Sequence, residues 1–505
     1  MATKAQLEAR VRELEVALEA ALARNAELEA AVAAGNARIA ALEARLAKLE
    51  ELLNRSSSNS SLPPSKNPPH VKPGRGNKPT GKPPGAQKGH PPHAFAEVEA
   101  SEITRTVPCA PAGRCDYCRA DLHDAPLVLG EAAAPFYCFE LPPLKLDVTA
   151  YLRSRRQCDH CRRWTVAPLP EGVGPSPFGP GLVAFIANLT VRYRLGRRPV
   201  SDLLAELFGR RISTGAIQGA LVLASEAIAG AVEALKRTIE AAPAAGSDET
   251  GWRDQSGFAK GKRCWLWVAT TEDGTLFAIA PGRDVAGSLR VLGEKFAGVV
   301  MCDRWSTYQS RFKERRQLCW AHIDREATAA VDRGRILAKK TDAKLVFRGA
   351  QLVAWGTAFA AEVDRLFEHW HAFRRGELSR EALGVAMAPV REAVERLLET
   401  GTRHDDPALA ATCRDLYKQR ACLWTFLTAE GVEPTNNGSE RELRPAVILR
   451  RLVTSTKSEE GRQLLARLLS VIHTCKKQGR PVMEFLRLTI ERFWLGLPPP
   501  LLVPG

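Results

Sequence analysis

Gly246-Ser-Asp-Glu-Thr-Gly-Trp252 is the stretch from which the rest of this 505-residue chain can be read. It begins a run of strand-like segments. Gly246–Trp252, Arg263–Thr270 and Thr275–Ala280 predict a three-strand meander with a turn at Glu272-Asp273-Gly274. A helix is expected over Val285–Lys295, then a short buried strand, Gly298–Cys302, that ends at Asp303. Arg316–Trp320 reads as another strand leading into a helix. An acid within or at the end of an apolar strand is costly unless it binds something, so Asp248 and Asp303 stand out. Glu249 should point to the face opposite Asp248.

A third acidic cluster lies far downstream, in Thr435-Asn-Asn-Gly-Ser-Glu-Arg-Glu-Leu-Arg-Pro445. Its polar residues suit a helix start, where side chains cap free N–H groups. Glu440 and Glu442 are two apart and cannot share a helix face, so only one can be a ligand. Carboxylates gathered from distant parts of a chain suit two divalent ions, Mg²⁺ or Mn²⁺, which are hard and prefer oxygen. Such a pair activates one oxygen and stabilises another in an in-line displacement at phosphorus. The competing reading is of surface carboxylates that only solvate loops. The order of elements, three strands, helix, strand and a late helix with the last acid, matches a ribonuclease-H-like core with a helical insertion. His322, beside Trp320, reads as a core histidine rather than a substrate contact.

The remainder of the chain divides by composition. Residues 1–53 carry apolar residues in alternating steps of four and three, from Leu7, Val11 and Leu14 to Leu46, Leu49 and Leu53. That period predicts a coiled coil, and Asn25 at a core position favours a parallel pair, so a homo-oligomer is expected. Residues 54–98 read as a basic, disordered linker: Asn54–His90 holds seven Lys or Arg and no acid. Residues 99–170 contain Cys115-Asp-Tyr-Cys118 and Cys158-Asp-His-Cys161. Paired CxxC motifs in a reduced chain predict one tetrahedral Zn²⁺ site made by Cys115, Cys118, Cys158 and Cys161. Cys109, His123 and His160 read as bystanders. The alternation of Leu146, Val148, Ala150 and Leu152 predicts a strand over Lys145–Leu152 that leads into the second knuckle. Residues 171–243 read as helical and DNA-binding. Within them Val200–Phe208, Gly209 and Ser213–Ile228 outline a helix-turn-helix among arginines, capped by Ser213 or Thr214.

Net charge is +15, which favours a polyanion such as DNA. No run of 18 apolar residues occurs, so no membrane span is expected. The charged, helix-patterned N-terminus is not that of a signal peptide, which predicts a reducing cytoplasm.

DETGWR, CDRWSTY, QLCWAH and TNNGSERELRP, in that order, resemble the blocks of the insertion sequence 66 family of bacterial transposases. The cysteine pairs and the coiled coil resemble that family's N-terminal region, and IHTCKKQGRPVMEFL (residues 472–486) resembles its C-terminal tail. The resemblance implies an α+β multidomain DDE transposase. Its catalytic core would comprise residues 244–323 and 431–470, with residues 324–430 as the helical insertion and 471–505 as the tail. It implies Asp248, Asp303 and Glu440 as the metal-binding acids, and so Glu440 over Glu442. Arg441, Arg444, Arg450 and Arg451 are the expected DNA contacts, with Arg444 on the face of Glu440. DNA is the expected partner, as element ends and target, in a bacterial, nucleoid-associated setting. Small accessory proteins are an implication of the resemblance alone. RRLVTSTKSEEG (450–461) lacks the aromatic and glycine expected midway, which leaves its local contacts open. A junction nuclease and a non-catalytic DNA-binding regulator are the rival functions.

Overall fold

The computed structural model describes residues 4–56, 59, 98–109, 113–126, 136–259, 263–452 and 455–503. Most of the expected basic linker, 54–98, lies outside these residues. The chain divides into two units, Gly74–Lys145 and the rest.

The smaller unit contains the first cysteine knuckle. The Cys115 N–H donates to the Ala120 carbonyl, and the Arg119 N–H donates to the Cys115 carbonyl, both at 2.9 Å. Arg119 takes φ +63° to close the turn.

The larger unit begins with α1 (Lys4–Leu53), one continuous helix. Leu14, Leu28, Leu42 and Leu49 on its seam are 55–57% exposed. The end of α1 docks by a different stripe, which leaves the seam free. Glu43 accepts the Thr341 and Asp342 N–H groups, Lys340 donates to Glu50 at 2.8 Å, and Ala47 is buried.

A short ladder, β1 (Arg155–Gln157) and β2 (Trp164–Val166), flanks the second knuckle. That knuckle repeats the first. The Cys158 N–H bonds the Arg163 carbonyl, the Arg162 N–H bonds the Cys158 carbonyl, and Arg162 has φ +60°. The strand expected at Lys145–Leu152 does not form, and the ladder lies farther on. Alternation needs a partner strand and a face to bury, and Val148 and Leu152 remain 83% and 97% exposed.

Helices α2 (Pro180–Ala187), α3 (Arg197–Phe208), α4 (Thr214–Ala227) and α5 (Ala229–Glu240) follow. Gly209 ends α3 in the left-handed region, and Ser213 caps α4 by accepting the Ala216 N–H. No single described helix is long and apolar enough to cross a membrane. The bent pair α4–α5 passes that test by composition, but its apolar residues are buried in the core.

The sheet has the order β5-β4-β3-β6-β7. β3 (Ala244–Arg253), β4 (Arg263–Thr270) and β5 (Thr275–Ala280) form the antiparallel meander. After α6 (Val285–Leu292), β6 (Val299–Cys302) pairs parallel with β3. After α7 (Ser306–Phe312), β7 (Arg316–Leu318) pairs parallel with β6. Both sheet edges are closed by polar side chains, which removes unpaired backbone groups. At β7, Thr425 donates to the Arg316 carbonyl. At β5, the Thr275 and Phe277 N–H groups donate to Thr474 and Ser470.

A helical block intervenes next: α8 (Trp320–Leu337), α9 (Ala343–Arg374), α10 (Arg380–Gly401), α11 (Pro407–Lys418) and α12 (Thr425–Thr428). It has its own apolar core around Trp320, Phe359 and Leu398. The chain then returns to the sheet with α13 (Asn437–Leu452), α14 (Glu459–Lys477) and α15 (Val482–Trp494). α14 runs through the expected boundary at residue 470, because Ser470 and Thr474 are the residues that close the β5 edge.

Candidate acidic site on the central strand

Two of the expected acids are brought together by strand register. Gly246 and Met301 are direct partners across the parallel β3–β6 pair. Asp248 and Asp303 each lie two residues beyond that pair. Side chains two apart share a face, and neighbouring strands run about 4.8 Å apart. The two carboxylates therefore start from adjacent backbone positions on one face.

The third acid arrives on the helix seated over the same face. The Asn436 amide donates to the Ser247 carbonyl at 2.8 Å, and its Oδ1 accepts the Ser439 hydroxyl at 2.7 Å. Gly246 permits this approach: a Cβ there would lie 2.5 Å from Ser439 Oγ and 2.9 Å from Asn436 Oδ1. The Asn436 N–H also donates to Cys319 Sγ at 3.2 Å, and the Trp320 N–H bonds the Pro434 carbonyl at 3.0 Å. These bonds pin the start of α13 to both β3 and α8, with Glu440 in its first turn. Glu442 turns away and bonds His473, with Lys477 3.8 Å off.

The electrostatics match this convergence. Burial pushes the Asp248 carboxyl well above its usual range, and the nearby Glu249, Asp303 and Glu440 charges push it further. The Glu249 N–H gives its Oδ1 a bond of 2.8 Å, an adjacent-residue contact that does not offset them. Asp303 Oδ1 accepts the Trp305 N–H at 2.9 Å, and its Oδ2 lies 3.5 Å from Arg283. Glu440 Oε1 is enclosed with no hydrogen-bond partner among the described residues. Its neighbours are His322 Nδ1 at 3.6 Å and Arg325, 4.0 Å from Oε2. Acids so placed fit divalent cations, which would supply the missing positive charge.

Around them lies a set of residues whose place at the site sequence reasoning did not give. Glu249, on the other face of β3, is buried, and bonds Arg283 and the Tyr308 hydroxyl. Burial raises the Glu249 carboxyl despite Arg283, and pushes the Tyr308 phenol well above its usual value. Arg283 thus ties Glu249 to Asp303 while lying 3.9 Å over the Trp305 ring. Nothing in a lone arginine before a helix cap marked it out. Cys319 is buried and its thiol is pushed up to about 11, mainly by burial. His322, expected in the core, borders Glu440 instead, and burial lowers its pKa. The CWAH run at 319–322 was the signal available.

The expected DNA contacts fall on the outer side of α13. Arg441, Arg444 and Arg451 are exposed, whereas Arg450 turns back to bond the Gly251 carbonyl and Thr250. In each cysteine knuckle, the backbone N–H groups three and two residues on (Cys118 and Tyr117; Cys161 and His160) bond the first sulfur and hold the Cys115 and Cys158 thiols below their usual range. That is the polarity a metal thiolate needs.

Comparison with known proteins bears on the same region. The model of the Transposase IS66 family matches residues 175–464, which contain all three acids. A family of unknown function matches residues 2–96. An uncharacterised protein, y4qI, of Sinorhizobium fredii (strain NBRC 101917 / NGR234) is 26% identical over 265 residues, covering 48% of this chain and 46% of that protein. The chain thus spans about half the length of that curated relative.

Proposed function

The chain belongs to the IS66 family of transposases, and we propose that Asp248, Asp303 and Glu440 are the metal-binding acids of a DDE transposase with a ribonuclease-H-like core. The observation that carries this reading is the register of β3 and β6, with the Glu440 helix seated on Gly246. The strand order β5-β4-β3-β6-β7, antiparallel and then parallel, supports the fold assignment.

Two Mg²⁺ or Mn²⁺ ions would supply an activated attacking oxygen and charge stabilisation at the leaving oxygen. The protein's own part is placement. Asp248, on β3, and Asp303, just past the end of β6, form one wall of the site, and Glu440 forms the other. Arg283 steadies Asp303 from the side and keeps Glu249 out of the ligand set. Arg444 and Arg441, exposed beside Glu440, take scissile-strand phosphates, and Arg451 extends that row. Arg450 fixes α13 to β3 instead. The element end is first nicked to free a 3′-hydroxyl, and the same acids then serve its attack on target DNA.

The other parts serve assembly and DNA holding. The exposed seam of α1 pairs two chains so that two element ends are handled together. The zinc reading of Cys115, Cys118, Cys158 and Cys161 rests on their spacing and on the like geometry of the two knuckles. The arginines around α3 and α4 contact phosphate, and binding weakens with salt.

The test is a labelled element end incubated with a target plasmid and Mg²⁺. Joined product that disappears in Asp303→Asn supports the reading. Cleavage without joining would indicate a nuclease, and full activity in Asp303→Asn would refute a catalytic role for this site.

A further inference from the structure

We propose that His322 is a metal ligand in this site, binding through Nδ1 the same divalent ion that Glu440 holds. The proposal rests on the carboxylate reading above and adds a nitrogen donor to it. Cys319, His322 and Glu440 offer a sulfur, a ring nitrogen and a carboxylate oxygen, all within 4.8 Å of one another. The three are not equivalent. The Cys319 sulfur already accepts the Asn436 N–H, and a buried thiol is a poor partner for a hard ion. It serves to seat the helix that carries Glu440.

His322 and Glu440 are placed differently. His322 Nδ1 and Glu440 Oε1 are both enclosed, and neither has a hydrogen-bond partner among the described residues. They face each other at 3.6 Å. That is too long for a hydrogen bond, which closes to about 3.2 Å or less. It suits two donors on a single ion: with bonds of about 2.1 Å they stand roughly 3.0–3.5 Å apart. Two enclosed polar atoms that face each other without a bond are costly unless something positive lies between them. His322 is also well anchored. It sits in the first turn of α8, where its N–H bonds the Cys319 carbonyl at 3.1 Å.

The chemical consequence is a preference. A site made only of carboxylates suits Mg²⁺, whereas an imidazole donor shifts it towards Mn²⁺. The Glu440 side should therefore discriminate between the two ions, and His322 should set the discrimination.

The test uses the full-length protein with its thiols loaded with zinc beforehand. Mn²⁺ binding is followed by the electron paramagnetic resonance of the free ion, and bound Mn²⁺ is examined by pulsed methods for coupling to an imidazole nitrogen. In the wild type that coupling is expected. In His322→Ala and His322→Gln it should vanish, with Mn²⁺ affinity falling roughly tenfold or more. Mg²⁺ affinity, read by competition, should change less than about threefold. Metal-free melting curves report folding, and the glutamine variant decides the matter if alanine disturbs it. Coupling absent from the wild type, or retained in the variants, overturns the proposal. Asp248→Asn and Glu440→Gln separate the two claims. If they lose Mn²⁺ while both His322 variants bind normally, only this inference fails. If they too bind normally, the carboxylate reading fails with it.

Discussion

Asp248 and Asp254 stand on one strand and its exit, both within the protein, and their surroundings are opposite. Asp254 is met by donors. The Ser256 N–H at 2.9 Å, the Thr456 hydroxyl at 2.7 Å and Arg462 at 3.0 Å all bond its carboxylate. Burial alone pushes its carboxyl up, but these bonds hold it at about 2. Arg462 is in turn held by Glu459 and lies 3.8 Å over Phe258. Asp248 is met by other acids, and its carboxyl is pushed well above its usual range. A buried acid supplied with donors is a clasp, here joining the end of β3 to the start of α14. A half-buried acid supplied with more acids is a place short of positive charge, and such perturbed groups mark functional sites.

The contrast can be broken by exchanging the roles. Asp248→Asn should lower end-joining by roughly three orders of magnitude or more, because residues that act as one unit fail together. It should leave the metal-free melting temperature unchanged or raised, since a repulsion among neighbouring carboxylates is removed. Asp254→Asn should do the reverse. Breaking one side of a buried ion pair costs about 3–5 kcal/mol, read in a denaturant or thermal melt, while the folded fraction keeps its joining activity. If Asp254→Asn abolished joining without loss of stability, the division between clasp and site would be wrong.

Mg²⁺ gives a smaller, sharper contrast. At a hundred times its dissociation constant it should stabilise the wild type by about 2.7 kcal/mol per site, and Asp254→Asn equally. It should not stabilise Asp248→Asn. A thermal melt with and without the ion decides this.

The dependence on pH carries opposite signs at the two aspartates. Asp254 has a folded pKa of about 2 against a usual 3.8. Its contribution, about 2 kcal/mol, is present above pH 4 or so and is lost as pH falls through 2. Asp248 has a raised folded pKa, so in the metal-free protein its contribution is present below its usual value and is lost as pH rises through the folded value. The stability gap between wild type and Asp254→Asn should therefore shrink on acidification. The lead of metal-free Asp248→Asn over wild type should shrink as well, because the wild-type repulsion is relieved by protonation.

How much of this was legible in the sequence follows from the range of each signal. The strands of the meander, the Ser213 cap and the Gly209 break are local matters of alternation and turn chemistry, and residue types encode them directly. Asp248 and Asp303 were visible because acids are rare in apolar strand contexts. Their register was not, since it depends on which strands pair. Lys145–Leu152 shows the same limit: alternation without a partner strand does not make a strand. Arg283 and Tyr308 could not be foreseen, because their roles arise only when α6 and α7 fold against β3. His322 was seen but assigned to the core, because nothing local says that α8 begins beside α13. The role of α14 at the sheet edge rests on Ser470 and Thr474, small polar residues with no sequence signature of their own.

The most direct measurement is anomalous diffraction from crystals of the protein soaked in Mn²⁺. Two peaks roughly 4 Å apart are expected, both coordinated by oxygens of Asp248, Asp303 and Glu440. Mn²⁺ bound elsewhere, with these carboxylates bare, would contradict it.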